Sequence, residues 1–266
     1  MESARLDTEL LLAHALGESR VRLYMDLDRP LTPAELDVFR PLLARRGKRE
    51  PVAYILGEKE FYGLPFEVGP DVLVPRPDTE RVVELVLETI GADADGTLID
   101  VCTGSGCIAI AIAAERPNLR VIATDLSPAA LAVATRNVAR HGLEERVEIR
   151  EGDLLAPVLA ERNVLGIVGN PPYIRPADRS SLAPDVKDYE PEMALFGQGS
   201  GSVGHHAQIL AQAGAILCSD GFVLLEAGHD QEKELRELTH EGFAPGELFR
   251  DLGNRVRGAC WRKVSA

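Results

Sequence analysis

Residues 97–115 read TLIDVCTGSGCIAIAIAAE, and this stretch is the strongest single indication of the fold class. The run 97–102 is short and apolar, as expected of a buried strand, and the run 107–115 is typical of a buried helix. Gly104 and Gly106 lie between the two runs, where the chain must turn sharply and a Cβ would be in the way. The stretch therefore predicts a strand, a tight turn and a helix, which together open a parallel βαβ unit.

The same alternation continues along the chain on both sides. Further helices are predicted at residues 79–90, 128–141 and 205–217, and further strands at 120–124, 147–150, 164–168 and 221–226. A terminal helix and one or two strands follow. Strands separated by helices of this length form parallel sheets covered by helices on both faces. We therefore expect an α/β domain with a mainly parallel sheet over residues 78–266.

The first fifty residues contain no strand pattern and predict a small helical domain over residues 1–53. Its first helix begins almost at residue 1, and Thr32 with Pro33 marks the cap and first turn of a second helix. Residues 54–77 predict a β-hairpin linker. The strand-like pieces of this linker are residues 61–63 and 66–68.

Composition and charge are those of a soluble folded protein. The 266 residues include 29 basic and 42 acidic side chains, a formal net charge of −13, with 45% hydrophobic and 27% charged residues. These values exclude wholesale disorder. The longest weakly polar run, residues 98–114, is too interrupted to span a bilayer, and the N-terminus does not resemble a signal peptide. We therefore expect a cytoplasmic protein without membrane association, and the acidic balance opposes stable binding to nucleic acid.

Cysteines and basic residues give two smaller predictions. Cys102, Cys107, Cys218 and Cys260 show no paired spacing, so we expect buried reduced thiols, with neither disulfides nor a metal site. The basic cluster at residues 45–49 is predicted to be the solvated end of a helix.

Polar residues follow the predicted strands at the edge where ligands bind in such sheets. A glycine-rich loop follows the first strand, and Asp125 ends the next strand at a distance suited to the two hydroxyls of a ribose. Asp153 and Leu154 follow the third strand, where they could hold and cover an adenine. The glycines with Asp125 also fit a dinucleotide, so a nicotinamide-dependent oxidoreductase stays open. The candidate cofactor-binding residues are Cys102, Thr103, Gly104, Ser105, Gly106, Asp125, Leu126, Asp153, Leu154 and Asn170.

The fourth strand runs into Asn170-Pro171-Pro172-Tyr173, the sharpest chemical feature of the sequence. Two consecutive prolines cannot continue a central strand, because both lack an N–H, so they form a rigid loop. The Asn170 side-chain oxygen and the Pro171 carbonyl can accept both hydrogens of an –NH2 group, and Tyr173 offers a flat face for stacking. That arrangement leaves the nitrogen lone pair directed at an electrophile, as methylation of an amide or aromatic amine by S-adenosylmethionine requires. We take these four residues as the catalytic candidates.

At these residues the sequence resembles the HemK-type protein-glutamine methyltransferases, the PrmC family of release factor glutamine N5-methyltransferases. The resemblance covers nearly the whole chain and includes residues 49–57, 60–63, 74–80, 100–106, 125, 170–174, 189–191, 194–197, 250–253 and 255. Asn-Pro-Pro-Tyr also occurs in adenine-specific DNA methyltransferases. The proline-arginine-proline segment, residues 75–77, singles out the HemK-type family.

The resemblance implies an enzyme that uses S-adenosylmethionine to methylate the glutamine amide in the Gly-Gly-Gln motif of peptide chain release factors. It implies a helical N-terminal domain for substrate recognition, a hairpin linker and a Rossmann-like catalytic domain. It also implies that residues 170–173 hold the substrate amide, and that the partner is a release factor involved in translation termination.

Three features depart from the family pattern. Cys102 stands where the family usually has the first glycine of its loop, which predicts an altered affinity for the cofactor. The helical domain lacks an expected opening helix, which would weaken docking of a large substrate. Residues 199–206, GSGSVGHH, replace the usual acidic Asp-Gly-Leu segment, where substrate selectivity could be set. We expect His205 and His206 to be helix-start residues, not ligands.

Other functions remain open at this point. Methylation of a small-molecule amide or amine is allowed by the altered segment 199–206. Methylation of DNA adenine is opposed by the net charge and by the lack of a target-recognition insertion. A nicotinamide-dependent oxidoreductase leaves residues 170–173 without a role. The last alternative is a non-catalytic protein that retains the fold.

Overall fold

The computed structural model describes residues 4–196 and 203–264. Its N-terminal part contains four helices, α1 (Ala4–Leu16), α2 (Arg20–Met25), α3 (Pro33–Gly47) and α4 (Val52–Leu56). Helix α3 begins at the predicted cap, where Thr32 accepts the Glu35 N–H and the Glu35 carboxylate accepts the Thr32 N–H. The sequence pattern did not predict α2, because none of its six residues is buried and it has no apolar periodicity.

A short antiparallel hairpin follows, formed by β1 (Glu58–Phe61) and β2 (Leu64–Glu67). The strand predicted at residues 61–63 is wrong in its second half, because Tyr62 and Gly63 form the turn. Both have positive φ angles, 52° and 72°, as a two-residue hairpin turn requires. Helix α4 also continues past residue 53, where the helical domain was predicted to end. The division of the chain at residues 53 and 77 stays a prediction.

The remaining elements form an α/β domain, which confirms the predicted fold class. They are α5 (Glu80–Ile90), β3 (Gly96–Val101), α6 (Cys107–Glu115), β4 (Leu119–Asp125), α7 (Pro128–Arg140), β5 (Val147–Glu151), β6 (Val164–Gly169), α8 (Pro184–Lys187), α9 (Glu192–Leu195), α10 (Gly204–Ala213), β7 (Leu217–Glu226), α11 (Glu232–Glu237), β8 (Glu247–Arg250) and β9 (Val256–Arg262). The seven-stranded sheet has the order β5-β4-β3-β6-β7-β9-β8, and only the pairings of β9 with β7 and β8 are antiparallel.

Helix α10 and strand β7 differ from their predicted bounds. The helix ends at Ala213, four residues before the predicted end, and the strand begins at Leu217. Leu217 pairs with Val164 of β6, so these apolar residues extend the sheet and do not continue the helix. Apolar periodicity alone does not separate a buried strand from the end of a buried helix.

The strand order reverses direction between β3 and β6, the central pair of the parallel sheet. Such a switch point opens a crevice at the carboxyl ends of the strands. Val101 lies opposite Gly169, so the loops that follow the two strands leave the sheet side by side. A Cβ at residue 169 would lie 2.2 Å from the Val101 carbonyl oxygen, which requires glycine immediately before Asn170.

The basic cluster at the end of α3 is a solvated helix end only in part, because two of its four basic side chains are exposed and one is buried. Arg46 is buried, with its Nε 2.7 Å from an Asp7 carboxylate oxygen and its Nη2 3.4 Å from Asp185 Oδ2. Arg49 Nη2 lies 3.0 Å from the other oxygen of Asp185. We call Asp7, Arg46, Arg49 and Asp185 the arginine clasp. It joins the N-terminal helices to the segment that contains α8, a contact between residues far apart in the sequence.

Candidate active site

A cleft lies at the switch point, where the loops after β3, β4, β5 and β6 meet. Most of the predicted site residues line it, namely Cys102, Thr103, Gly104, Ser105, Asp125, Leu126, Asp153, Leu154, Asn170 and Pro172. Within the described residues, the cleft lining does not include Gly106, Pro171 or Tyr173. Gly106 caps α6, Pro171 is buried, and the half-buried Tyr173 directs its hydroxyl at Glu226.

Asp100, in strand β3, holds the loop that follows the strand through hydrogen bonds. One oxygen of this buried carboxylate accepts the Thr103 hydroxyl at 2.5 Å and the Ala109 N–H at 3.1 Å. Its other oxygen is buried without a partner in residues 4–196 and 203–264. Burial raises the pKa of Asp100 to about 7, although both hydrogen bonds favour the charged form. Asp100 therefore fastens the strand end, the loop and the first turn of α6 to one another.

Cys102 adopts a φ of 58°, which lies in the left-handed region that glycine favours. The backbone of this loop thus has the conformation that the family's usual glycine would supply, and a cysteine accommodates it here at some conformational cost. All four cysteines are free thiols, as predicted, but only Cys107 is fully buried and the others are half-buried. Burial raises the pKa of the Cys102 thiol, so this thiol stays protonated.

Asp125 connects the loops after β3 and β4. Its Oδ2 accepts the Gly104 N–H and its Oδ1 accepts the Ser127 N–H, both at 2.9 Å. Asp125 also lines the cleft, and a carboxylate can accept several hydrogen bonds, which suits two adjacent ribose hydroxyls. A Cβ on Gly104 would meet no atom within 4 Å, so there is open space for a ligand beside this backbone. The residues present therefore fit an adenosyl group.

The Asn-Pro-Pro-Tyr loop is held by side chains from distant parts of the chain. The Pro172 carbonyl lies 3.0 Å from His205 Nδ1, and since a carbonyl only accepts, this nitrogen carries the hydrogen. Gln231 Nε2 donates to the Tyr173 carbonyl at 2.7 Å. The Tyr173 hydroxyl donates to Glu226 Oε1 at 3.3 Å. Burial raises the pKa of Glu226 to about 7.

The predictions from sequence missed the opposite wall of the cleft. Residues 71–73, 75, 76 and 79, which follow the hairpin, line one side of the cleft. Residues around α9, including Met193 and Phe196, line another side. Arg76 Nη2 lies 2.7 Å from the buried Glu190, and this ion pair joins the two segments. The segments 74–80 and 189–191 carried the family resemblance, which was the one available signal that they matter.

The two histidines begin α10, as predicted, and His205 also lines the cleft, which was not predicted. His206 is fully buried and its Nε2 lies 2.8 Å from the Glu226 carbonyl. Burial lowers the pKa of His206 to about 4, so this side chain is neutral at neutral pH. Residues 199–202, the rest of the altered segment, lie outside the described residues.

Solved structures of other proteins share this fold. The catalytic domain of METTL16 in complex with an RNA hairpin has a TM-score of 0.59 at 17% identity over 77% of both chains. A methyltransferase from Pyrococcus furiosus has a TM-score of 0.57 at 20% identity, over 85% of this chain and 100% of that one. Residues 79–184 also match the family model of the methyltransferase small domain. Together with the adenosyl-fitting cleft and the Asn-Pro-Pro-Tyr loop, this match defines an S-adenosylmethionine-dependent methyltransferase.

Sequence comparison identifies the family. Residues 1–57 match the PrmC N-terminal domain and residues 79–184 match the methyltransferase small domain. The release factor glutamine methyltransferase of Geobacter sulfurreducens is 44% identical over 264 residues, which cover 96% of this chain and 91% of that protein. The corresponding protein of Cereibacter sphaeroides is 42% identical over 97% of this chain and 90% of its own. The chain belongs to the release factor glutamine methyltransferase family, as its motifs predicted, and not to the nicotinamide-dependent oxidoreductases.

Proposed function

We propose that the protein transfers a methyl group from S-adenosylmethionine to the side-chain amide nitrogen of the Gly-Gly-Gln glutamine in a peptide chain release factor. One observation carries the assignment of roles. Asn170 and Pro172 line the same cleft as Asp125 and Gly104, because Val101 and Gly169 end neighbouring strands in register. A cofactor held by the first loops would therefore face a substrate held by the Asn-Pro-Pro-Tyr loop.

The cofactor supplies an electrophilic methyl group bound to a sulfonium. We assign the ribose hydroxyls to Asp125, whose two oxygens are already aligned by backbone N–H groups. Asp153, exposed at the rim, and the buried Leu154 are assigned to the adenine. The remaining predicted residues, Cys102, Thr103, Ser105, Gly106 and Leu126, form or support the backbone around the adenosyl and amino-acid parts.

Asn170 and the Pro171 carbonyl are assigned to the substrate amide. Two acceptors that hold both amide hydrogens leave the nitrogen lone pair aimed at the methyl carbon. Bound S-adenosylmethionine would supply the methyl carbon, and its sulfur would keep the electron pair of the broken carbon–sulfur bond as the carbon–nitrogen bond forms. The nitrogen then carries a positive charge, which the two acceptors stabilise, and it releases one proton to water. No strong base is needed for that last step.

The division of labour follows the predicted domains. We assign docking of the release factor to residues 1–53, the linker to residues 54–77 and catalysis to residues 78–266. Among the described residues, no helix has the length and apolar character needed to cross a membrane. We place the enzyme in the cytoplasm, where its proposed substrate acts, and the net charge of −13 opposes stable nucleic-acid binding.

A labelling experiment tests the proposal. Purified protein is incubated with methyl-labelled S-adenosylmethionine and a release factor, either wild type or with the Gly-Gly-Gln glutamine replaced by alanine. We expect label on the wild-type release factor alone. Label on both substrates, or on neither, would contradict the assignment, and a small amide tested in parallel would reveal a small-molecule enzyme.

A further inference from the structure

A buried carboxylate lies beside the catalytic loop and has no part in the chemistry described so far. Glu226 ends β7 and is 3% exposed. Leu225 lies opposite Gly169 in the parallel pair β6 and β7, so Glu226 is next to the first residue of the Asn-Pro-Pro-Tyr loop. Burial of an ionisable group lowers the stability of a protein unless the group is hydrogen-bonded. The hydrogen bonds of Glu226 therefore indicate what the residue does in the fold.

The two oxygens of Glu226 accept hydroxyls from two different segments. Oε2 accepts the Thr79 hydroxyl at 2.6 Å, and Oε1 accepts the Tyr173 hydroxyl at 3.3 Å. Thr79 is buried, lines the cleft and follows the proline-arginine-proline segment. Glu226 therefore bridges the end of the catalytic loop to the segment that distinguishes this family from other Asn-Pro-Pro-Tyr enzymes.

Tyr173 is fixed at both ends of the residue. Its carbonyl accepts from Gln231 Nε2 at 2.7 Å, and Gln231 is itself oriented because its Oε1 accepts the Gly228 N–H at 2.9 Å. The Tyr173 hydroxyl points to Glu226, so it anchors the catalytic loop to the end of β7. This contact gives Tyr173 a role in addition to the stacking predicted from sequence.

We propose that Glu226 is a positioning residue for methyl transfer, which holds Tyr173 and Thr79 so that Asn170 and the Pro171 carbonyl face the substrate amide. The proposal rests on the proposed function. It differs from a general stabilising role, because orientation of the acceptors affects the transfer step more than the binding of either substrate.

The test compares Glu226→Gln, Tyr173→Phe and the double variant with wild-type protein. Glutamine keeps the size of Glu226 but can accept through one oxygen only, and phenylalanine removes the hydroxyl alone. We expect each single variant to lower kcat by about 10- to 100-fold. The KM for the release factor and the affinity for S-adenosylhomocysteine stay unchanged. The double variant loses no more than the worse single variant, because both changes break one interaction.

Thr135→Val is the matched control, since it removes a hydroxyl that donates to the Leu131 carbonyl at 2.8 Å within α7, outside this network and outside the cleft. Its kcat stays at the wild-type value. Three results with active wild-type protein would overturn the positioning role but not the proposed function. They are losses of kcat that multiply in the double variant, a loss of S-adenosylhomocysteine affinity, and an unchanged kcat. Inactive wild-type protein would overturn the proposed function and this role with it. If Glu226→Gln does not fold, Thr79→Val is measured alone, since it removes the hydroxyl that donates to Glu226 Oε2. We then expect a lower kcat with unchanged affinity for S-adenosylhomocysteine, and an unchanged kcat would overturn the positioning role.

Discussion

The two halves of the cleft are held in different ways. In the cofactor half, Asp100 and Asp125 bind backbone and side-chain groups that lie 2 to 21 residues away in the sequence. In the substrate half, the loop at residues 170–173 is held by His205, Glu226 and Gln231, which lie 33 to 58 residues away. The two carboxylates of the cofactor half thus act over short distances in the sequence, whereas the loop of the substrate half depends on contacts made by tertiary folding.

The largest expected effect is a loss of kcat on substitution of Asn170, in the substrate half of the cleft. Asn170→Ala removes one acceptor for the substrate amide and leaves the Asp125 contacts intact. We expect kcat to fall by about 100- to 1,000-fold, with a much smaller loss of S-adenosylhomocysteine affinity measured by calorimetry, because the Asp125 contacts remain. A loss of S-adenosylhomocysteine affinity as large as the loss of kcat would show that the two halves are not independent.

Asp125→Ala is the converse change in the cofactor half. It removes the acceptors for the ribose hydroxyls and frees the Gly104 and Ser127 N–H groups. We expect S-adenosylhomocysteine affinity to fall by about 30- to 100-fold, while kcat at saturating S-adenosylmethionine changes much less. Unchanged affinity would refute the assignment of Asp125 to the ribose.

A pH dependence tests how the cofactor half is anchored. Burial raises the pKa of Asp100 from 3.8 to about 7 in the folded protein. The folded state therefore binds the proton more tightly than the unfolded state, and the stability from this group, full below about pH 4, is lost as the pH rises to about 7.

Asp100→Asn removes this titration. We expect the wild-type protein to exceed the variant in free energy of unfolding by about 2 kcal/mol more at pH 5 than at pH 8. Urea unfolding at the two pH values measures the difference, and other titrating groups cancel because both proteins contain them. A stability gap that is the same at both pH values would show that Asp100 titrates normally.

The smallest effect concerns the arginine clasp, which lies outside both halves. Arg46→Met leaves the Asp7 and Asp185 carboxylates without their shared guanidinium. We expect the free energy of unfolding to fall by about 1–2 kcal/mol, with S-adenosylhomocysteine affinity unchanged. Arg40→Met, at an exposed position of the same helix, is the control and should change stability by less than about 0.5 kcal/mol.

Features fixed by residues close together in the sequence could be predicted, whereas contacts between distant residues could not. The strand, loop and helix at residues 97–115 and the place of Asp125 were predicted correctly, because short-range spacing determines them. Thr79, His205 and Glu226 were not identified as neighbours of the catalytic loop, since tertiary folding alone brings them to it. The buried position of Arg46 was missed for the same reason, because its partner Asp185 lies 139 residues away.

A crystal structure of the protein with S-adenosylhomocysteine and a Gly-Gly-Gln peptide tests the central assignment most directly. We expect the glutamine amide nitrogen within hydrogen-bonding distance of Asn170 Oδ1 and the Pro171 carbonyl, and the ribose hydroxyls on Asp125. A glutamine side chain bound elsewhere, or a ribose that does not contact Asp125, would contradict the proposed arrangement of the cleft.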